Sequence, residues 1–152
     1  MFRKIFLTMS LGAALLPIAS AGSQEFIENV LEEQGIKYST SDGKVFTEWS
    51  DSLVLASWVD AESAVLYISG FSCTGVPMAR WSQAYEKLNE LIKGHNGCIF
   101  LDSDGDVRAN FIVDLDDMNL SRAAYLASLK RALLALSAAR EEMMKVRYQS
   151  EN

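Results

Sequence analysis

The chain has 152 residues, 20 acidic and 14 basic, for a formal charge of −6. That surplus of acid repels nucleic acid and anionic lipid, so neither is an expected partner. The length suits one domain with a proper core.

Arg3 and Lys4 make a short basic start, Ile5 to Leu16 is an apolar run, and Pro17 breaks it. Ala19-Ser20-Ala21 then has the small-x-small spacing of a secretory cleavage site. Residues 1–21 therefore read as a signal peptide cleaved after Ala21, giving a periplasmic or secreted product. The alternative is an uncleaved anchor, but the run stops near the lower limit of about 17 residues needed to span a bilayer. No Cys follows the run to take a lipid. Beyond the leader, 12 basic residues face 20 acidic ones. The later apolar stretch at residues 129–139 is interrupted by Lys130 and Arg131, so no membrane association is expected after cleavage.

Ser23 is placed to cap a first helix over Gln24–Gln34, with Phe26, Ile27, Val30 and Leu31 on one face. Gly35 and Ile36 end it in the pattern of a left-handed cap with a trailing hydrophobic contact. Three strand-like runs follow as an antiparallel meander: Ile36–Trp49, interrupted or bulged at Ser41-Asp42-Gly43, then Leu53–Asp60 and Ala64–Phe71. Pro77 suits the first turn of a second helix reaching about Lys93, whose apolar face is Trp81, Tyr85, Leu88, Leu91 and Ile92. After the corner Gly94-His95-Asn96-Gly97 comes a hairpin of Cys98–Asp102 and Val107–Leu115. Its second strand has the cleanest alternation in the chain: Val107, Ala109, Phe111, Val113 and Leu115 against Arg108, Asn110, Ile112 and Asp114. A last helix starts near Asn119 or Ser121 and carries Leu126, Leu129, Leu133 and Leu136. Residues 141–152 read as its mixed-charge, fraying end. The order α-β-β-β-α-β-β-α implies an α+β fold: an antiparallel sheet of about five strands with helices segregated from it, in one domain over residues 22–140.

The middle strands carry apolar groups on both faces. Leu53, Leu55 and Val59 oppose Val54, Ala56 and Trp58; Leu66 and Ile68 oppose Val65, Tyr67 and Phe71. A sheet with one wet face should be polar there, so a cover is implied. A helix of the same chain, a second subunit or a ligand would serve, and two-layer packing favours the helix.

This order resembles the YbjN family of bacterial proteins, especially its exported branch, over roughly residues 24–140. The matching residues are Leu88-Asn89-Glu90, Phe100-Leu101-Asp102, Asp104-Gly105-Asp106, Asp114-Leu115 and the Leu-rich helix after Leu120. The resemblance implies a fold similar to type III secretion chaperones and a role described as sensory transduction regulation. It offers no catalytic residues. Where the family has a tryptophan-bearing or basic segment, this chain has Leu91-Ile92-Lys93-Gly94-His95.

Trp58, Tyr67, Phe71, Met78 and Trp81 are the candidates for a partner surface, because aromatics and Met are enriched at interface cores, although they are also ordinary core residues. His95, the only histidine, reads as a loop residue, since no nucleophile motif accompanies it. Asp102, Asp104 and Asp106 superficially resemble a calcium loop. Val107 and Val113 stand where an EF-hand needs Gly and Glu, so the stretch reads as a hairpin turn. Asp114, Asp116 and Asp117 read as a solvated strand end beside a helix N-terminus. Cys73 and Cys98 are permitted a disulfide by export, but a parallel strand–helix–strand crossover would hold them at opposite ends of the sheet. A helix lying across the sheet would remove that objection, and the pairing stays open. No catalytic residue, cofactor or metal is expected. The favoured reading is a non-enzymatic exported binding module for a protein or peptide, with a homodimer among the candidates. The alternative is a ligand- or metal-binding sensor, or a small periplasmic enzyme, using His95 and the acidic clusters.

Overall fold

The computed structural model describes residues 20–50, 52–60, 62–115 and 120–149. The apolar leader, Asp116, Asp117 and Asn119 lie outside the described residues. Helix α1 is Ser20–Glu33, and the strands are β1 Tyr38–Ser41, β2 Lys44–Ser50, β3 Leu53–Asp60 and β4 Val65–Ser72. A 3-10 turn, Met78–Arg80, leads into α2 Trp81–Leu91; β5 Gly97–Leu101, β6 Val107–Asp114 and α3 Arg122–Tyr148 complete the fold. The expected cleavage position after Ala21 falls in the first turn of α1.

The fold is α+β, as expected, but its antiparallel sheet has six strands in the order β1-β2-β3-β4-β6-β5. The extra strand comes from Ser41-Asp42-Gly43. Asp42 and Gly43 both have positive φ, 50° and 72°, and Ser41 pairs with Lys44. That is a two-residue turn whose twist matches the flanking strands, so the segment folds back on itself instead of bulging.

The helix ends follow their sequence cues unevenly. Gly35 has φ 67°, and the Ile36 N–H reaches the Leu31 carbonyl at 2.9 Å while the Gly35 N–H reaches that of Glu32. These are the two bonds of a Schellman cap. Ser23, by contrast, lies inside α1 and is buried, so it is not the cap. Ser121 caps α3, its Oγ accepting from the Ala124 N–H. The fraying end expected from residue 141 is corrected as far as Tyr148: it is helical, with Met143 and Val146 buried. The buried stripe of α3 is Tyr125, Leu129, Ala132, Leu136, Ala139, Met143 and Val146.

The core lies between one face of the sheet and the helices. Val45, Leu55, Leu66, Ile68, Val107 and Ala109 join Ile27, Leu31, Leu88 and Leu136 in it. Each of these larger side chains contributes about 1.5–3 kcal/mol by leaving water. Close contacts fix which face the helices cover. Gly70 brings its backbone under Leu136 of α3, where an added Cβ would stand 2.8 Å from the leucine Cδ2. The Tyr125 hydroxyl meets the Ser57 Oγ at 3.3 Å, and the Tyr85 hydroxyl of α2 donates to the Leu101 carbonyl. The α1 residues Ile27, Val30 and Leu31 join the same core, and α1 packs on β2 and β3.

Candidate functional site: an open aromatic sheet face

The expectation that an intrachain helix covers the second sheet face is overturned. Helices α1, α2 and α3 pack on the face that carries Leu55, Leu66, Ile68 and Ala109. Among the described residues, the opposite face has no helix over it. Its side chains are only half-buried by their strand neighbours, and Ile112 and Phe100 are exposed.

Strand register sorts this open face into three rows. In the first, Lys44 leans over the Trp58 ring, 4.6 Å from its centroid; Trp58 pairs with Tyr67 and Tyr67 with Ile112. In the second, Phe46, Ala56, Ser69, Asn110 and Cys98 follow one another across the sheet. The third runs Glu48, Val54, Phe71, Arg108 and Phe100. Trp58 and Tyr67 stack with centroids 5.2 Å apart and planes 13° from parallel, a cross-strand aromatic pair of the kind that stabilises a sheet by about 0.2–1 kcal/mol. Arg108 lies 4.0 Å over Phe71, while its Nε donates to the Asp102 carboxylate at 2.9 Å.

The middle row is low at its centre, because Ala56 and Ser69 stand between Trp58 on one side and Val54 and Phe71 on the other. The result is a trough of about 220 Å³, also lined by Lys44, Phe46, Gly70 and Arg108. The Ser69 hydroxyl is committed to Asn110 Oδ1 at 2.6 Å. The trough therefore offers shape, aromatic walls and two cations.

Three of the five candidate partner residues, Trp58, Tyr67 and Phe71, meet on this face. Met78 and Trp81 do not. Met78 is 73% exposed on the 3-10 turn. Trp81 begins α2, which packs on α3 and β5; its Nε1 donates to the Val76 carbonyl and its ring meets Tyr85 edge-on. Sequence reading missed Phe46, Lys44 and Arg108 as members of the face. Alternation flags Arg108 and Ile112 as sharing a side, but placing Lys44 beside Trp58 requires the Asp42-Gly43 hairpin.

The other candidates have local roles. Cys73 and Cys98 are free and exposed. Cys98 is level with Ser69 two strands away, and Cys73 lies four residues beyond Ser69. At about 3.3 Å per residue and 4.8 Å per strand they stand about 16 Å apart, well past bridging range. The Asp102 carboxylate accepts from the N–H groups of Asp104 and Asp106. Partial burial works against its charge, but Arg108 and those N–H groups hold its pKa below the usual 3.8. Asp106 accepts from the N–H groups of Thr74 and Gly75. The Val76 N–H and Thr74 hydroxyl donate to the Gly105 carbonyl. The acidic turn is thus stitched to the segment before α2. Among the described residues no three His, Cys, Asp or Glu side chains converge to hold a metal.

His95 is exposed and meets Phe111 edge-on at 5.9 Å. It lines a separate cleft of about 630 Å³ with Asp114, Ser128 and Arg131. No side-chain hydrogen bond or ion pair joins these groups among the described residues.

No family model matches the chain, and no curated protein matches it. Solved structures do. YbjN of E. coli, proposed to be a transcription regulator, superposes with a TM-score of 0.61 at 8% identity, over 85% of this chain and 93% of that one. A chain of the ExsC–ExsE complex gives a TM-score of 0.63 at 12% identity, over 86% and 98%. A chain of the HopA1–SchA chaperone–effector complex gives 0.53 at 16%, over 82% and 99%. At such identities the likeness establishes the fold: this chain is built as YbjN and the type III secretion chaperones are.

Proposed function

We propose that this chain is an exported, non-enzymatic binding module that holds a protein or peptide partner against its open sheet face. One observation carries the reading: Trp58, Tyr67, Phe71 and Ile112 share a face that no helix covers among the described residues. Contiguous apolar patches of this kind mark interaction sites on soluble domains. The leader supports export. Two of the similar solved structures are complexes of two proteins, which supports partner binding as a use for this fold.

Affinity capture from periplasmic extract tests the reading, with the leaderless protein beside its Trp58→Ala and Tyr67→Ala variants. A partner held by the wild type and lost by both variants is the expected result. A partner held equally by all three would place binding elsewhere, and a bare wild-type bait would remove the reading. The cleft beside His95 supports a second reading, a small-ligand sensor, because about 630 Å³ lies in the range of ligand pockets. A small ligand that raises the melting temperature of the wild type but not that of His95→Ala would support this second reading, and a screen in which no ligand raises it would count against it.

A further inference from the structure

We infer that the open face takes an extended acidic peptide, with an apolar side chain in the trough and carboxylates on either side of it. The inference rests on the sheet face being the binding surface and adds the chemistry of what it binds. On a chain with net charge −6, the two cations nearest the trough are held in place by aromatic rings: Lys44 over Trp58 and Arg108 over Phe71. Lys44 has no carboxylate partner among the described residues, and Arg108 gives only its Nε to Asp102. The acids that the strands place on this face, Glu48, Asp60 and Asp114, stand outside the trough lining.

Spacing selects the form of the occupant. Trp58 and Phe71 lie on neighbouring strands, four residues apart along the strand direction. Cations over those rings are therefore about 14 Å apart, at about 3.3 Å per residue and 4.8 Å between strands. An extended peptide covers that distance in about four residues, and its side chains i, i+2 and i+4 point the same way. Acids at i and i+4 then meet Lys44 and Arg108, while residue i+2 drops between Trp58 and Phe71 onto Ala56 and Ser69. A second copy of this face is the poorer occupant, since it would bring its own Lys44 and Arg108 toward the same cations.

Selection of random displayed heptapeptides on the immobilised leaderless protein, at low salt, tests this directly. The expected result is enrichment of peptides with an apolar residue flanked two places away by Asp or Glu. Their retention should fall roughly two- to five-fold on Lys44→Gln, the range of one exposed ion pair, and fall further in added salt. Lys44 is a half-buried surface residue whose replacement by Gln leaves the core untouched. Neutral or basic peptides that are enriched on the wild type and lost on Trp58→Ala would overturn the acidic chemistry while leaving the surface in place. Enrichment equal on the wild type and on Trp58→Ala, or none at all, would overturn both.

Discussion

The rings of Trp58 and Tyr67 lie stacked 5.2 Å apart on adjacent strands, on the side of the sheet away from α1, α2 and α3. Opposite them, Leu55 and Leu66 are fully buried under the helices. The two faces should therefore respond differently to truncation. Trp58→Ala loses a cross-strand aromatic pair worth about 0.2–1 kcal/mol together with its partial burial, whereas Leu55→Ala opens a core cavity costing about 2–5 kcal/mol. Urea titration of both variants checks this. If Trp58→Ala were the more damaging, the outer face would be serving as core.

Gly105 sits in the hairpin turn, close against the segment before α2. Its φ is 76°, and an added Cβ would stand 2.2 Å from the Val76 carbonyl oxygen, which belongs to the segment stitched to this turn. Gly105→Ala combines left-handed strain with overpacking, each about 1–3 kcal/mol. The expected outcome is a loss of roughly 3 kcal/mol in chemical denaturation. Gly43→Ala, with nothing within 4 Å of its added Cβ, should lose only the strain part.

Tyr125 makes the fold sensitive to alkali. Burial pushes its phenol from 10.0 up to about 12, opposed only in part by Ser57. Below pH 10 the phenol is neutral whether the chain is folded or not. Between about 10 and 12 only the unfolded chain ionises, so its stability contribution drains away as pH rises through that window. Unfolding free energies measured from pH 9 to 12 should decline in the wild type and decline less in Tyr125→Phe. The variant should start about 1 kcal/mol lower, because the Ser57 hydroxyl loses its buried partner.

Both thiols should react with a thiol reagent in the folded, oxidised preparation, and mobility without reductant should match mobility with it. A protected pair would contradict the strand register that separates Cys73 from Cys98.

Local rules carried the sequence reading furthest. Gly35 followed by Ile36 ends α1 where a left-handed cap requires it, and the alternation from Val107 to Val113 assigns the inner face of β6. The errors share a cause, the placement of one element against another. Asp42-Gly43 is a bulge or a hairpin depending on whether Tyr38 and Thr47 meet, and they do. Residues 141–148 look like a polar end until Arg80 Nη1 is found donating to the Val146 carbonyl, and Arg147 Nη1 to that of Thr74. Apolar alternation showed that both faces of β3 and β4 want cover, but it carried no information on which face the helices take. For the same reason Met78 and Trp81 could not be separated from Trp58, Tyr67 and Phe71.

Site-directed photo-crosslinking in periplasmic extract tests whether the open sheet face is the surface that holds a partner. A photoreactive aromatic residue replaces Tyr67 on the open face in one variant and Leu134, 60% exposed on α3, in another. A discrete protein or peptide adduct is expected from position 67 and none from position 134. Adducts from position 134 alone would move the binding surface to the helical layer and contradict that expectation.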